Sequence, residues 1–159
     1  MSWQAPVYDR TQSDVALVVE LNAKGWDNMT AEEQAIFSQP MKGALNGVDV
    51  ARINGNINVI RAVYSLDIPA QSEVALTGDP YMTLDRFEAQ HSAMLHIREH
   101  CQTHPDTPYV PADPVPNTHT AINDIEKILL DVYEIWQDNQ SAARYTGEVI
   151  CHTGWIDLL

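Results

Sequence analysis

Cysteine and basic residues are scarce in this chain of 159 residues, and each shortage argues against a class of protein. The two cysteines, Cys101 and Cys151, are too few for a disulfide framework. Nine Lys and Arg residues stand against 22 Asp and Glu residues, which makes the formal net charge −13. Since a surface this acidic repels phosphate backbones and anionic lipid, we expect neither nucleic acid nor a membrane as a partner.

Long apolar runs and catalytic fingerprints are missing as well. No apolar run approaches the ~20 residues of a membrane-spanning helix, and the N-terminus has no recognisable signal peptide. The chain has no G-x-S-x-G motif, no Walker A loop and no dinucleotide-binding glycine pattern. We therefore expect a protein that is not an enzyme, has no cofactor and is made in the cytoplasm. Its 45% hydrophobic residues are enough for a core.

Capping residues and apolar spacing predict a mainly α fold with about five helices, a Pro-rich strap and a short C-terminal β-hairpin. Thr11 and Thr30 each precede an acidic residue by three positions, which is typical of a helix start. The predicted organisation is one or two small domains in four segments: a lead-in and three-helix region at 1–66, a connector and fourth helix at 67–102, the strap at 103–118, and the C-terminal helix and hairpin at 119–159.

The third helix carries a narrow apolar seam. Its residues follow at spacings of 3, 4, 3 and 4: Val50, Ile53, Ile57, Ile60 and Tyr64. Because isoleucine at both core positions of a coiled coil favours trimers or tetramers, we expect a homo-oligomer, most simply a trimer, with this seam at or near its axis. The alternative is that the seam packs on the fifth helix inside one chain, since Ile122, Ile125, Leu129, Val132 and Trp136 repeat the spacing.

The same helix contains residues that form helices poorly. Asn54, Gly55, Asn56 and Asn58 all have low helix propensity, so the helix must depend on packing along its seam. Asn56 lies off the seam, and we expect Asp to be tolerated there.

Histidine spacing on the fourth helix offers one candidate metal site. His96-Ile-Arg-Glu99-His100 fits the H-x-x-E-H pattern, in which two histidines one turn apart share a zinc ion and the glutamate acts as general base. A third ligand is needed, and the sequence suggests none. A solvent-facing helix surface is the simpler interpretation, so we expect no catalytic residue, no metal ligand and no stoichiometric zinc.

The C-terminal residues predict a docked end rather than a free one. Tyr145 begins a glycine-bracketed segment, predicted as the hairpin, and the chain ends on Trp155, Leu158 and Leu159. Since an apolar terminus frays unless it is held, we expect these four side chains to contact another subunit or another part of the chain.

Two stretches of the chain resemble small virion proteins of tailed phages and prophages of Firmicutes. The first comprises Tyr8-Asp-Arg-Thr-Gln-Ser-Asp-Val, Leu21-Asn-Ala-Lys-Gly-Trp26, Lys42-Gly-Ala-Leu-Asn46 and Arg52-Ile53-Asn-Gly-Asn-Ile57. The second comprises Ala121-Ile122-Asn-Asp-Ile-Glu-Lys-Ile-Leu-Leu-Asp-Val-Tyr133-Glu and Tyr145-Thr-Gly-Glu-Val-Ile-Cys151. In those proteins a similar helix start recurs, as does a terminal helix followed by a hairpin rich in Tyr, Cys and Gly.

The resemblance implies a structural part of the phage tail, in the virion. The implied role is a tail-tip, baseplate or fibre-attachment adaptor that binds copies of itself and other tail or baseplate proteins, with no catalytic residues. An alternative is a receptor-binding tip protein that recognises a host-surface glycan. A remote alternative is a zinc hydrolase that uses His96, Glu99 and His100.

Overall fold

The computed structural model describes residues 2–72 and 83–145, and of residues 143–145 it describes the backbone alone. These ranges contain five α-helices and no strand, which confirms the mainly α prediction for this part of the chain. No helix among the described residues combines the length and the apolarity needed to cross a membrane. The helices are α1 (Gln12–Lys24), α2 (Ala31–Phe37), α3 (Gly47–Val63), α4 (Leu84–His100) and α5 (His119–Tyr145), with a single 3-10 turn at Trp26–Asn28.

Local sequence signals determine where the first three helices start. Thr11 and Asp14 form a reciprocal capping box at α1, in which the Thr11 backbone N–H donates to the Asp14 carboxylate at 2.7 Å. Thr30 and Glu33 repeat this arrangement at α2. At α3 the backbone N–H of Asn46 donates to the Asp49 carboxylate at 2.9 Å. These bonds satisfy N–H groups that have no partner within a helix, so the predicted starts hold.

The core lies where α3 packs against α4 and α5. Residues from four predicted segments contribute, since Ile68 and the half-buried Val110 of the strap join the helical side chains. The sequence signal for this core was the repeated 3-4 spacing, which places one apolar face of each helix inward. The helical members are Ile53, Ile57, Ile60, Ala93, Met94, Ile97, Ile125, Ile128, Leu129 and Val132.

Extended segments of chain lie against the helices and are held by amide side chains. Asn56 exchanges two hydrogen bonds with the backbone of Gln4, and Asn58 does the same with the backbone of Gln71. Both asparagines are buried. The asparagines that have low helix propensity in α3 therefore anchor the segments that cross this helix. A buried amide is stable there because its donors and acceptors are paired.

The proline-rich segment at 103–118 contains no helix or strand and runs across two helices. The hydroxyl of Thr107 donates to the Asp131 carboxylate of α5 at 2.6 Å. On the α4 side, a ring nitrogen of His91 bonds the carbonyl of Pro111 at 2.8 Å, and Arg98 donates to the carbonyl of Pro108. The predicted strap is thus fixed to both helices.

The fifth helix continues to Tyr145, the residue at which the predicted hairpin segment begins. Residues 137–142 are all exposed, so the last turns of α5 extend beyond the core. Apart from Tyr145, the predicted β-hairpin lies outside the described residues.

Candidate functional site

The predicted oligomer seam is placed inside the chain. Ile57 and Ile60 are fully buried in the isolated chain, Val50 and Ile53 are buried too, and Tyr64 is half-buried. The Tyr64 hydroxyl donates to the carbonyl of Val132 on α5 at 3.1 Å. The four buried side chains Val50, Ile53, Ile57 and Ile60 leave no surface for a second copy, so their expected place at a trimer axis is wrong in this fold. Tyr64 keeps some exposed surface, and its part in an interface stays a prediction.

The intramolecular alternative describes this seam, and its physical reason is visible in the anchors beside it. In a coiled coil, the polar residues beside the apolar seam would face solvent. In α3 the asparagines beside the seam bind the backbone of other segments of the chain, so the buried face of the helix is wider than the seam.

The remaining predicted docking residues cannot be placed in the same way. Tyr145 is the last residue of α5, and its side chain is not among those described. Trp155, Leu158 and Leu159 lie outside the described residues.

The histidine motif on α4 stands at the surface. The rings of His96 and His100 stack at 4.0 Å, and His100 Nδ1 lies 3.0 Å from the backbone carbonyl of His96. The Glu99 side chain is 78% exposed and lies 3.9 Å from His100. In the described part of the chain, one group of three His, Cys, Asp or Glu residues has its ligand atoms within 4.8 Å of one another. That group includes none of His96, Glu99 and His100. The three residues do not form a converging zinc triad.

Cys101 is a core residue. It is buried at the end of α4, and burial raises the pKa of its thiol to about 11. The thiolate is the reactive form of cysteine, so this thiol is inert at neutral pH. Cys151 lies outside the described residues.

A buried cluster of four charged side chains joins the N-terminal segment to the core. Arg10 donates to Asp49 of α3 at 2.9 Å and to Glu126 of α5 at 3.0 Å. Arg52 binds the same two carboxylates, in a bidentate pair with Glu126 at 2.6 and 2.9 Å. Two arginines thereby balance two acids, which buried charges require. The sequence signal was limited to the Asp49–Arg52 spacing of three, since the other partners come from distant segments.

Hydrogen bonding keeps Asp49 ionised in this cluster. Burial alone would raise the pKa of Asp49, but hydrogen bonds from Asn46 and Arg52 and the charge of Arg10 hold its pKa below the usual range. Burial likewise disfavours the charged form of Arg52, yet its bonds to Glu126 and Asp49 raise the pKa of its guanidinium. The carboxylates are engaged on both oxygens and buried, so this cluster ties segments together and offers no free acid or base.

Two surface pockets among the described residues have a mainly apolar lining, and they lie on different elements. The first, which we call the α1–α2 groove, has a volume of about 330 Å³ and is lined by Leu17, Ile36, Pro40 and Met41, among others. The second, the Tyr109 patch, combines Leu95 and Arg98 of α4 with Tyr109 and Val110 of the strap. Tyr109 is 85% exposed, and the Arg98 guanidinium lies 5.8 Å from its ring centre.

Tyrosine and arginine, both present in the Tyr109 patch, are enriched at protein-binding surfaces. Neither surface was predicted from the sequence. Leu17 could have been noticed as an apolar residue away from the buried face of α1, but the Tyr109 patch depends on how the strap crosses α4.

Comparison with protein-family models, with curated protein sequences and with solved structures gives no match for this chain.

Proposed function

We propose that the chain is a structural subunit of a tailed-phage virion, a tail-tip, baseplate or fibre-attachment adaptor rather than an enzyme. The observation that supports this most is the pair of exposed apolar surfaces, the α1–α2 groove and the Tyr109 patch, on different elements of one strapped helical body. An adaptor needs separate surfaces for separate neighbours. The sequence resemblance to small virion proteins supplies the assignment to a phage tail.

The hydrogen bonds that fix the N-terminal segment and the strap support a structural role. The N-terminal segment is held by Asn56, Glu126 and Asn123, and the strap is held by Asp131 and His91. Long-range anchors of this kind keep exposed side chains such as Tyr109 in fixed positions. Fixed positions reduce the entropy that is lost when a partner binds.

Self-association remains part of the proposal, with a trimer favoured. Since the isoleucines of the α3 seam are buried in the single chain, the trimer would form through an exposed surface. The C-terminal hairpin and the docking of Trp155, Leu158 and Leu159 also stay in it as proposals. The acidic net charge of −13 supports protein neighbours over nucleic acid or anionic membrane.

A direct test is whether the chain is part of a particle. Phage particles released from the strain that carries the gene would be purified by density gradient, and their proteins would be identified by mass spectrometry. We expect this chain in the particles at a fixed ratio to tail proteins. Its absence from intact, tailed particles would contradict the proposal.

A substitution in the Tyr109 patch then tests whether this surface is needed for incorporation into the phage particle. Tyr109→Ala removes the most exposed aromatic side chain, whereas Tyr8→Ala, also at an exposed tyrosine, is a matched control outside the patch. We expect Tyr109→Ala to lower incorporation into particles, with Tyr8→Ala at the wild-type level and the helical circular dichroism of both proteins unchanged.

The glycan-binding alternative is supported by one feature of the same patch. The exposed Tyr109 ring lies beside Arg98 and Glu99, which gives a flat apolar face next to hydrogen-bonding groups. Such a face can stack on a sugar ring while its neighbours bind hydroxyls. A glycan array with wild-type and Tyr109→Ala protein distinguishes the two: binding to defined glycans that Tyr109→Ala abolishes favours the receptor-binding role.

A further inference from the structure

A turn in the strap lies against α5 and brings a histidine to two carboxylates. The backbone N–H of Thr107 donates to the carbonyl of His104 at 3.1 Å, and Pro105 is the second residue of this turn. The Thr107 hydroxyl donates to Asp131 at 2.6 Å, and both Thr107 and Asp131 are buried. The turn that carries His104 is therefore fixed to the helix that carries Asp131.

The geometry points to a divalent metal site formed by His104, Asp131 and Glu134, for a transition-metal ion such as Zn²⁺. Asp131 and Glu134 are three residues apart on α5, so their side chains share one face of the helix. One ligand atom of each of the three residues lies within 4.8 Å of the other two. Imidazole nitrogen with carboxylate oxygens is a donor set that zinc accepts, with water in the remaining position.

Small side-chain adjustments complete the coordination. Two ligands of one tetrahedral zinc ion are about 3.4 Å apart when each is about 2.1 Å from the metal. His104 is half-buried and Glu134 is exposed, so both have room to turn by that amount, whereas Asp131 stays fixed. Thr107 acts as an outer-shell partner, because its hydrogen bond orients the Asp131 carboxylate.

The charges around the site leave an excess of negative charge. Lys127 donates a hydrogen bond to Asp131, and the carboxylates of Asp106 and Glu134 also act on this ammonium group. Three carboxylates against one ammonium group leave two negative charges, which a divalent cation would neutralise. Lys127 occupies one position on Asp131, and a carboxylate offers further lone pairs to a metal.

This site differs from the zinc pattern in the sequence and departs from the expectation that the chain has no metal ligand. It uses His104, which lies beyond the end of α4, whereas His96 and His100 are on the helix itself. A metal here would join the strap to α5 and stabilise the position of the adjoining chain, Tyr109 included.

The test is zinc titration of the chelator-treated full chain by calorimetry, with Co²⁺ absorption to report the ligand geometry. We expect one Zn²⁺ per chain at this site and a melting temperature that rises by a few degrees. His104→Ala and Glu134→Gln are expected to weaken binding at least about tenfold. Neither replaces a core residue, so circular dichroism should show both variants folded.

The matched control is the double variant His96→Ala/His100→Ala, which is expected to bind zinc like the wild type. If the wild-type chain takes up no zinc, or if His104→Ala binds it unchanged, the site does not exist. Loss of binding in the control with retention in His104→Ala would place the ion on α4 and also overturn the proposal.

Discussion

Asn56 on α3 holds the backbone of Gln4 in both directions. Its Oδ1 accepts from the Gln4 N–H at 2.9 Å, and its Nδ2 donates to the Gln4 carbonyl at 2.8 Å. Asn58 binds Gln71 in the same manner, and Asn123 of α5 binds Arg10. A side-chain amide presents the same donor and acceptor as a peptide group, so each asparagine pairs with extended chain much as a neighbouring strand would.

Replacing Asn56 tests how strongly the N-terminal segment depends on this pair. Asn56→Ala removes the two hydrogen bonds that the buried Asn56 side chain makes to the backbone of Gln4, so we expect the free energy of unfolding to fall by about 2 kcal/mol. Urea denaturation measures the loss, and limited proteolysis should cut near the N-terminus earlier. Asn139→Ala, at an exposed position on α5, is the control and should change neither. Equal effects of the two substitutions would show that the Gln4 pair contributes nothing.

How much could be predicted from the sequence depends on how local the signal is. The helix starts at Thr11 and Thr30 rest on partners three residues away, and they were predicted correctly. Asn56 was predicted to tolerate Asp, and the structure reverses this expectation: its partner lies 52 residues away, and a carboxylate there would face the Gln4 carbonyl. The Arg10 cluster, the Tyr109 patch and the His104 triad were missed for the same reason, because each depends on how unstructured segments cross the helices.

Two glycines should respond in opposite ways to alanine. At Gly55, within α3, a Cβ would meet nothing within 4 Å, so Gly55→Ala should stabilise the protein by about 0.5–1 kcal/mol through helix propensity. At Gly43 a Cβ would lie 2.0 Å from the backbone oxygen of Asp14, which cannot move without shifting α1. Gly43→Ala should therefore destabilise by about 2 kcal/mol. Thermal denaturation of the two variants measures both, and equal signs would contradict the close approach of the chain at Gly43.

Asp49 makes stability depend on pH in the acidic range. Its pKa in the folded chain is below the ordinary value of 3.8, so the unfolded chain binds the proton more tightly. The stability that comes from this carboxylate is fully present above the unfolded pKa and is lost as the pH falls through the lower, folded pKa.

We expect Asp49→Asn to cost about 3 kcal/mol at neutral pH, because Arg10 and Arg52 lose a buried partner. The variant should also lose less stability than the wild type when denaturation is repeated from pH 5 down to pH 3. Asp138→Asn, at an exposed position, is the control and should keep the wild-type slope. If Asp49→Asn keeps that slope too, another group is responsible for the acid sensitivity.

The last prediction separates folding from self-association. Ile57 is fully buried among side chains of the core, so Ile57→Asp places an unpaired charge where no water can reach it. We expect the variant to lose several kcal/mol of stability and to fail to fold, whatever the oligomeric state of the wild type. Leu17→Asp, in the α1–α2 groove, and Leu95→Asp, in the Tyr109 patch, change exposed residues and should leave the helical content unaltered.

Circular dichroism and light scattering on the same samples provide the comparison. If the wild-type chain is a trimer, one of the two surface variants should reduce its mass while staying folded, because an interface must use side chains that the single chain leaves exposed. A folded, monomeric Ile57→Asp variant of a trimeric wild type would instead return the α3 seam to the trimer axis. Ile53, Ile57 and Ile60 cannot serve both purposes, since their side chains are already buried in the core that α3 forms with α4 and α5.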